Sequence, residues 1–322
     1  MLGFGAGPVS GLMTSANVAI QRECVDAAIE RGINWFDTAP GYGNGESERR
    51  LGDALRGRED RDQLHVATKV RLSEQELDDP YDAMQRSLQA SLLRLGVEQV
   101  SLLQLHNGVT SRRNEIACSI TADDLLRRGG IADAMERLRM RGLVRFSGLT
   151  GTGTAVALRE ALNSDRFETL QIPFNILNPT AECAAPPSYL ETDFGRLFDD
   201  CERLRIGVFA IRVFAGGALL RRDPSPHTLT TKFFPLDLYQ RDLGRVAALE
   251  RGLPAGMRLH EAAVRFSITP PAVSCALVGF GAAREIDAAA EAVVQGPLDR
   301  PLFERFAEIG MASPIADRDG QE

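Results

Sequence analysis

The 322-residue sequence predicts a single α/β domain, a closed (β/α)8 barrel spanning 1–322. Short apolar runs alternate with longer amphipathic segments, and eight such runs occur along the chain. This alternation implies parallel strands joined by right-handed crossovers, and eight units favour closure into a barrel. The alternative is a doubly wound open sheet. It is disfavoured because no Gly-x-Gly-x-x-Gly motif opens a helix after the first strand.

The strand candidates are short apolar runs of the kind that fill the buried interior of a parallel sheet. In chain order they are Leu2–Phe4, Ile33–Phe36, His65–Val70, Val100–Leu105, Val144–Leu149, Thr169–Ile172, Ile206–Ile211 and Ser274–Val278. The helix candidates repeat apolar residues at helical spacing. They are Asn17–Glu30, Tyr81–Leu95, Ile131–Met140, Ala155–Leu162, Phe194–Leu204, Leu259–Ser267 and Glu285–Val294.

Two long segments lack a clear period. Asn107–Gly130 follows the fourth strand and Phe214–Tyr239 follows the seventh. Both lie on the side of the barrel where the strands end, and barrel active sites are built on that side. Long loops there usually serve binding. We therefore expect these two segments to form walls of the substrate pocket.

Composition excludes several classes of partner. The net charge of −7 argues against nucleic-acid or anionic-membrane binding, which needs a basic surface. No apolar run approaches the roughly 18 residues that a membrane span requires. The N-terminus lacks the pattern of a signal peptide. The five cysteines are scattered and odd in number, which predicts reduced thiols in a cytoplasmic protein.

Four polar residues stand out because of their positions. Asp37, Lys69 and His106 end the second, third and fourth predicted strands, and Tyr42 lies in the Pro- and Gly-rich loop after the second. Taken singly, each is more often a capping, packing or solvated residue. Taken together at consecutive strand ends, they would meet at one mouth of the barrel. The four therefore form the candidate catalytic site.

The chemistry of these groups is coherent. A phenol has an ordinary pKa of about 10 and needs a nearby cation to become acidic near neutrality. Lys69 can supply that charge, Asp37 can hold Lys69, and His106 can bond a substrate oxygen. Such a site would exchange a proton with an oxygen on which charge develops. No cluster of His, Cys and Asp has metal-ligand spacing, so no metal is expected.

The stretches around these residues resemble the aldo-keto reductase family. The resemblance is carried by Gly32–Gly43, Ser47–Gly52, Ala67–Val70, Arg94–Gly96, Leu103–His106, Arg141–Arg145 and Gly148–Leu149, and it runs from Leu2 to about Val294. It implies a barrel with a nicotinamide cofactor extended across its mouth. It also implies hydride transfer to or from the carbonyl or alcohol carbon of a small aldehyde, ketone or sugar, with Tyr42 as general acid or base. Many members begin with a β-hairpin that closes the barrel bottom, and we expect that hairpin to be absent here.

The resemblance also implies a set of cofactor-binding positions after the last four strands. They are Thr150, Gln171, Ile211, Arg212, Phe214, Gly216, Gly279, Gly281, Arg284 and Glu285. Thr150-Gly151 stands where the family usually has Ser-Asn, and Ile211 stands where many members have a stacking Tyr. Family precedent favours NADP(H), with NAD(H) as the alternative. Arg284 suits a 2′-phosphate, whereas Glu285 would repel it and could accept a bond from a ribose hydroxyl.

Two other functions compete with the reductase hypothesis. One is a nucleotide-binding regulatory subunit of the same fold with little turnover, against which the complete set of four residues argues. The other is a Schiff-base aldolase that uses Lys69. Asp37 beside Lys69 opposes this, because it would keep the amine charged and so not nucleophilic. Borohydride trapping with substrate separates the aldolase from the reductase.

Overall fold

The computed structural model describes residues 1–230 and 236–312, without the side chains of 228, 230, 236 and 237. Its centre is a closed barrel of eight parallel strands in sequential order. The strands are β1 (Leu2–Gly5), β2 (Trp35–Asp37), β3 (His65–Val70), β4 (Val100–Leu105), β5 (Val144–Thr150), β6 (Thr169–Pro173), β7 (Gly207–Ile211) and β8 (Val273–Val278). The pairing of Phe4 with Val278 closes the circle between β1 and β8. The predicted barrel is confirmed.

Helices lie between successive strands of the barrel or follow its last strand. They are α1 (Val18–Glu30), α2 (Glu46–Leu55), α3 (Pro80–Leu95), α4 (Ala122–Leu126), α5 (Ile131–Met140), α6 (Ala155–Leu162), α7 (Leu197–Leu204), α8 (Pro226–Thr230), α9 (Leu236–Gly252), α10 (Leu259–Ser267), α11 (Ala283–Val294) and α12 (Arg300–Met311). Short 3-10 turns occur at Leu12–Thr14, Arg61–Gln63, Gln75–Leu77 and Ala215–Leu220. Side chains cap several helix starts, as Asp79 does for α3.

The predicted elements agree with the structure apart from shifts at their ends and some helices that the pattern did not indicate. The predicted helix from Phe194 begins only at Leu197, because Gly195 and Arg196 adopt left-handed conformations with φ of 58° and 57°. The helices α2, α9 and α12 were not predicted. In α2 the apolar face is short and interrupted by Gly52, where a Cβ would lie 2.6 Å from the Leu95 carbonyl oxygen.

The two segments expected to be irregular are partly helical. The first contains α4, whose capping box is built from Thr121 and Asp124. The second contains the turn at Ala215–Leu220, the short helix α8 and the start of α9; residues 231–235 lie outside the described part of the chain. The described parts of the two segments therefore combine irregular backbone with short helices that no clear period in the sequence indicated.

The barrel interior changes from apolar to polar along its axis. An apolar cluster fills the barrel from the end where the strands begin to its middle. It consists of Ala67, Leu102, Phe209, Cys275 and Leu277, with Trp35, Phe146 and Ile211 packed against it. Asp37 and Lys69 lie two residues further along their strands than Trp35 and Ala67, so they share the inward face at the next level. The polar groups are thus placed at the strand ends, where the mouth of the barrel opens.

Candidate active site

The loop that carries Tyr42 is fixed by backbone and hydroxyl contacts. The Thr38 and Ser47 hydroxyl oxygens lie 2.8 Å apart, and the Ser47 hydroxyl donates to the Ala6 carbonyl oxygen at 2.8 Å. The Tyr42 amide donates to the Ala39 carbonyl oxygen at 3.1 Å. The loop then turns through Gly43, whose φ of 58° disfavours a side chain. These contacts tie the Tyr42 loop to the ends of β1 and β2.

A buried carboxylate connects this loop to the neighbouring elements. Glu48 on α2 is fully buried and accepts from the Thr68 hydroxyl on β3 at 2.6 Å. Its second oxygen accepts from Arg94 Nε on α3, also at 2.6 Å. A buried charge is tolerated because it is paired and bonded on both oxygens. The Ser-Glu-Arg-Arg-Leu-Gly stretch thereby sets where α2 and its preceding loop lie against β3.

Lys69 connects the groups of the candidate site. Its Nζ donates to Asp37 Oδ2 at 2.6 Å, to the Thr38 carbonyl oxygen at 2.9 Å and to Tyr42 Oη at 3.3 Å. Only 1% of Lys69 is exposed, so its charge acts in a largely dry environment. The His106 ring meets the Tyr42 ring edge-on, with centroids 6.0 Å apart. The structure therefore brings all four predicted residues together at the carboxyl ends of β2, β3 and β4.

The ionisation of this cluster differs in part from the sequence-based expectation. Burial alone would lower the pKa of Lys69, but the Asp37 carboxylate and the Tyr42 phenol raise it above its ordinary value, so the amine stays charged. For Tyr42, burial raises the pKa above its ordinary value and outweighs the opposing effect of Lys69. The expected net acidification of the phenol is therefore wrong for the protein alone, because desolvation is the larger effect. Tyr42 holds its proton at neutral pH.

His106 is kept neutral by its surroundings. Burial, and then the positive charges of Lys69 and Arg71, hold the pKa of the His106 imidazole well below 6.5. The Arg71 guanidinium donates to the His106 carbonyl oxygen from Nε at 3.3 Å and from Nη2 at 3.2 Å. A neutral imidazole has one N–H donor and one acceptor nitrogen. His106 can therefore bond a substrate oxygen beside Tyr42 without carrying a charge.

We expect His106 to take up its proton only well below pH 6.5. The unfolded chain takes up this proton near the ordinary value of 6.5, whereas the folded chain does so only at lower pH. The contribution of His106 to stability is therefore fully present above pH 6.5 and is lost as the pH falls towards the folded pKa. A ¹H–¹⁵N NMR titration of the four histidines, assigned with a His106→Gln variant, checks this. Titration of the His106 ring near pH 6.5 would contradict the proposed burial and charge effects.

Gln171 and Thr150 are already engaged within the protein. Gln171 Nε2 donates to Asp37 Oδ1 at 2.8 Å, and the Thr150 hydroxyl donates to the Leu105 carbonyl oxygen at 2.9 Å. Each therefore offers its oxygen as an acceptor to a ligand. Ile211, expected beside a nicotinamide ring, packs against the apolar cluster in the barrel and is partly exposed.

The loop after β7 has the small-residue surface that an extended dinucleotide needs. Gly216 and Gly217 have φ of 69° and 106°, and Phe214 begins the turn through its carbonyl oxygen, which accepts from the Gly217 amide at 2.9 Å. Arg212 precedes them, and burial lowers its pKa to about 9, which leaves the guanidinium charged near neutrality. Backbone amides and a cation without intervening side chains suit phosphate oxygens.

The loop after β8 and the start of α11 complete this surface. Gly279 lies so close to Ser10 that a Cβ there would be 3.2 Å from the Ser10 Cβ. Glu285 accepts from the Gly281 amide at 2.8 Å and forms an ion pair with Arg222. Arg222 was not among the predicted cofactor-binding residues. Arg284 is exposed on the first turn of α11. The side chains of Arg284, Arg222 and Glu285 therefore lie where the adenosine end of a cofactor was expected.

Two contacts of the site were missed from the sequence. Gln104 on β4 donates from Nε2 to Asp37 Oδ1 at 3.1 Å, and Arg71 lies against His106. The signal for Gln104 was available, because it is a polar residue within an apolar run and lies two positions before His106. Residues two apart on a strand share a face. Arg71 gave no signal, since a charged residue after a strand is ordinarily solvated.

Among 1–230 and 236–312, no group of three or more His, Cys, Asp or Glu side chains is placed to hold a metal ion. Within the same ranges, no helix has the length and apolar character needed to cross a membrane.

Comparison with known proteins gives a consistent family match. The model of the Aldo/keto reductase family matches residues 1–310. The chain is 26% identical over 305 residues to a D-threo-aldose 1-dehydrogenase of a Pseudomonas species, covering 86% of this chain and 84% of that protein. A solved aldo-keto reductase from Bacillus halodurans superposes with a TM-score of 0.71 at 24% identity, covering 96% of this chain and 91% of the other. A solved aldo-keto reductase from Klebsiella pneumoniae in complex with NADPH superposes with a TM-score of 0.65 at 20% identity. The match covers 99% of this chain and 93% of the other.

Proposed function

The chain belongs to the aldo/keto reductase family of NAD(P)H-dependent oxidoreductases, and we propose that Tyr42, Lys69, Asp37 and His106 are the catalytic residues of this enzyme. The observation that carries the proposal is the position of Lys69. Its ammonium group lies between the Asp37 carboxylate and the Tyr42 hydroxyl and donates to both. In this arrangement a proton can pass between Tyr42 and a substrate oxygen while Lys69 stabilises the phenolate that remains.

We propose that the substrates are small aldehydes, ketones or sugar hemiacetals and the corresponding alcohols. Tyr42 keeps its proton at neutral pH because of its burial, so it is prepared to donate to a carbonyl oxygen. His106 bonds the same oxygen and so orients the carbonyl carbon. In the direction of alcohol oxidation the phenol first loses its proton to solvent, at a cost that Lys69 lowers, and the phenolate then accepts the proton of the alcohol. The dehydrogenase from Pseudomonas supports sugars as one group to test.

We propose NADP(H) as the cofactor, with NAD(H) as the alternative. The described residues fit a dinucleotide. Gly216 and Gly217 expose backbone in left-handed conformations, Arg212 supplies a partly buried cation, and α11 begins without a side-chain cap on its first N–H groups. The structure from Klebsiella in complex with NADPH is consistent with this choice. When bound, the nicotinamide supplies or accepts the hydride. Gln171 would then offer its amide oxygen to the carboxamide group.

The preference for NADP(H) predicts a role for Arg284. Replacing Arg284 with Ala is expected to weaken NADPH binding about tenfold and NADH binding much less, because one charge-assisted bond to the 2′-phosphate is lost. Dissociation constants from quenching of the fluorescence of Trp35, the single tryptophan, give both values. Arg300→Ala is the matched control, since Arg300 is another exposed arginine and lies on a different helix, α12.

The dissociation constants of the Arg284→Ala variant also show whether Arg222 should be tested as the residue that binds the 2′-phosphate. If Arg284→Ala weakens NADPH and NADH binding equally, Arg284 does not bind the 2′-phosphate. A selective loss in Arg222→Ala would then identify Arg222, released from Glu285, as the residue that binds the phosphate. If neither variant discriminates, the proposed NADP(H) preference is wrong.

The experiment that tests the proposed function is an assay of a carbonyl and sugar panel with both cofactors. Turnover is followed by nicotinamide absorbance, and reduction and oxidation are measured separately. Turnover of at least one carbonyl or alcohol is expected. Tight cofactor binding without turnover across the panel would favour the regulatory function. Borohydride trapping of Lys69 with a carbonyl substrate would favour the aldolase.

A further inference from the structure

Three donors hold the Asp37 carboxylate, and two of them come from glutamines on other strands. Lys69 binds Oδ2, while Gln104 on β4 and Gln171 on β6 both donate to Oδ1, at 3.1 and 2.8 Å. Gln104 is fully buried and Gln171 is 3% exposed. Asp37 is therefore bonded to three strands besides its own.

The orientation of the two amides follows from the charge of Asp37. An ionised carboxylate only accepts hydrogen bonds, so both glutamines must present their N–H₂ groups to it. For Gln104 this leaves Oε1 buried without a hydrogen-bond partner among the described residues. A buried oxygen without a hydrogen-bond donor is destabilising. An apolar residue on β4 would avoid that cost, so the contribution of Gln104 to stability does not explain its presence.

The barrel makes room for this arrangement. The residue opposite Gln104 on β5 is Gly148, and a Cβ at Gly148 would lie 2.0 Å from the Thr169 hydroxyl oxygen on β6. The interior at this level is thus free of a β5 side chain between the two glutamines. Their amides reach the same Asp37 oxygen from two sides because of that gap.

The two amides affect how Lys69 acts on Tyr42. Donors on Oδ1 draw negative charge away from Asp37, so Asp37 neutralises the Lys69 ammonium less completely. A larger share of the positive field then acts on the Tyr42 hydroxyl, 3.3 Å from Nζ. The same bonds prevent the carboxylate from rotating away from Lys69. Gln171 bonds Asp37 through its nitrogen, so its amide oxygen can still accept a bond from a ligand. Gln171 would thus link a bound ligand to Asp37.

We propose that Gln104 is a positioning residue of this reductase: with Gln171 it fixes the Asp37 carboxylate opposite Lys69 and so determines how strongly Lys69 acts on Tyr42. The proposal rests on the proposed function of Tyr42 as general acid or base. Gln104 itself acts through Asp37 and Lys69, since its amide bonds Asp37 and neither Tyr42 nor His106.

Two variants test the role of Gln104. Gln104→Met keeps the length of the side chain and removes the amide. Its kcat is expected to fall about tenfold, the loss of one hydrogen bond to a charged group, while the dissociation constant of NADPH changes less than twofold. Gln104→Glu keeps the shape but donates only while its carboxyl is protonated. Its turnover relative to the wild type is therefore expected to fall as the pH rises from 5 to 8.

The control is Thr169→Val, which removes a buried hydroxyl from the same level of the barrel without touching Asp37. We expect wild-type kcat for it. Thermal melting of each variant reports the fold. Wild-type kcat in Gln104→Met, or a pH-independent activity ratio in Gln104→Glu, overturns the proposal. Loss of the fold in both variants also overturns it, because Gln104 would then be a structural residue.

Failure of this inference is distinct from failure of the proposed function. If Tyr42→Phe keeps its turnover, the catalytic assignment is wrong whatever the Gln104 variants show. If Tyr42→Phe loses turnover and Gln104→Met does not, only the positioning role of Gln104 is wrong.

Discussion

Tyr42→Phe is expected to lower turnover by about 10²–10⁴-fold, the usual contribution of general acid–base catalysis. The substitution removes one oxygen, so the substrate oxygen loses its proton donor and the Lys69 ammonium loses one of its three acceptors. The ring stays, with its edge-on contact to His106. Cofactor affinity should change little, because the hydroxyl faces the substrate side. Turnover on an accepted aldehyde and cofactor titration by Trp35 fluorescence measure the two quantities.

Tyr239→Phe is the matched control for this loss. Tyr239 lies on α9, and its hydroxyl bonds the Arg222 carbonyl oxygen rather than any of the four residues proposed to be catalytic. Its removal should leave turnover within a few-fold of the wild type. Near-normal turnover in Tyr42→Phe would show that another group or a water molecule donates the proton.

Lys69→Met is expected to reduce both turnover and stability strongly. Without the ammonium, only the weaker effect of Arg71 opposes the burial that already raises the pKa of Tyr42, so the phenol becomes a poorer acid. Turnover should fall at least as far as in Tyr42→Phe. The Asp37 carboxylate is also left buried with two amides but no cation. Removing one partner of a buried pair typically costs about 3–5 kcal/mol, which denaturant unfolding measures.

The double variant Asp37→Asn with Lys69→Met separates the two effects. It removes both charges, so much of the stability lost in Lys69→Met should return, because no unpaired charge remains buried. Turnover should stay low, since Tyr42 still lacks its cation. Recovery of turnover together with stability would show that Lys69 serves the fold and not the reaction.

The sequence predicted the barrel, and it predicted that four polar residues meet at one mouth, because both depend on simple periodic rules. Apolar runs at regular intervals indicate the strands, and residues that end adjacent parallel strands must meet at one mouth. Asp37, Lys69 and His106 satisfy that rule, and Tyr42 lies in a loop too short to leave the same mouth. The positions of Asp37, Lys69 and His106 therefore followed from the strand ends, and that of Tyr42 from the shortness of its loop.

The balance of effects within the site did not follow from the sequence. The pKa of Tyr42 is raised by desolvation of the phenol and lowered by the nearby charge of Lys69. The degree of burial and the distance to Lys69 decide which effect is larger, and no sequence pattern reports either. The contact of Gln104 with Asp37 lies beside the gap at Gly148 on the adjacent strand β5, and the sequence does not show that these two residues are paired. The helix α2 was missed because Gly52 lies within it, although close packing against Leu95 is what requires that glycine.

A double-mutant cycle of Tyr42→Phe and Lys69→Met, measured on hydride transfer in single turnovers, tests the central claim most directly. If Lys69 acts through Tyr42, the two residues form one unit. The fold-decrease in the hydride-transfer rate of the double variant should then be much smaller than the product of the fold-decreases of the two single variants. Single turnovers with saturating cofactor exclude effects on cofactor binding and product release. A loss in the double variant equal to that product would contradict the account, because the two residues would then act independently.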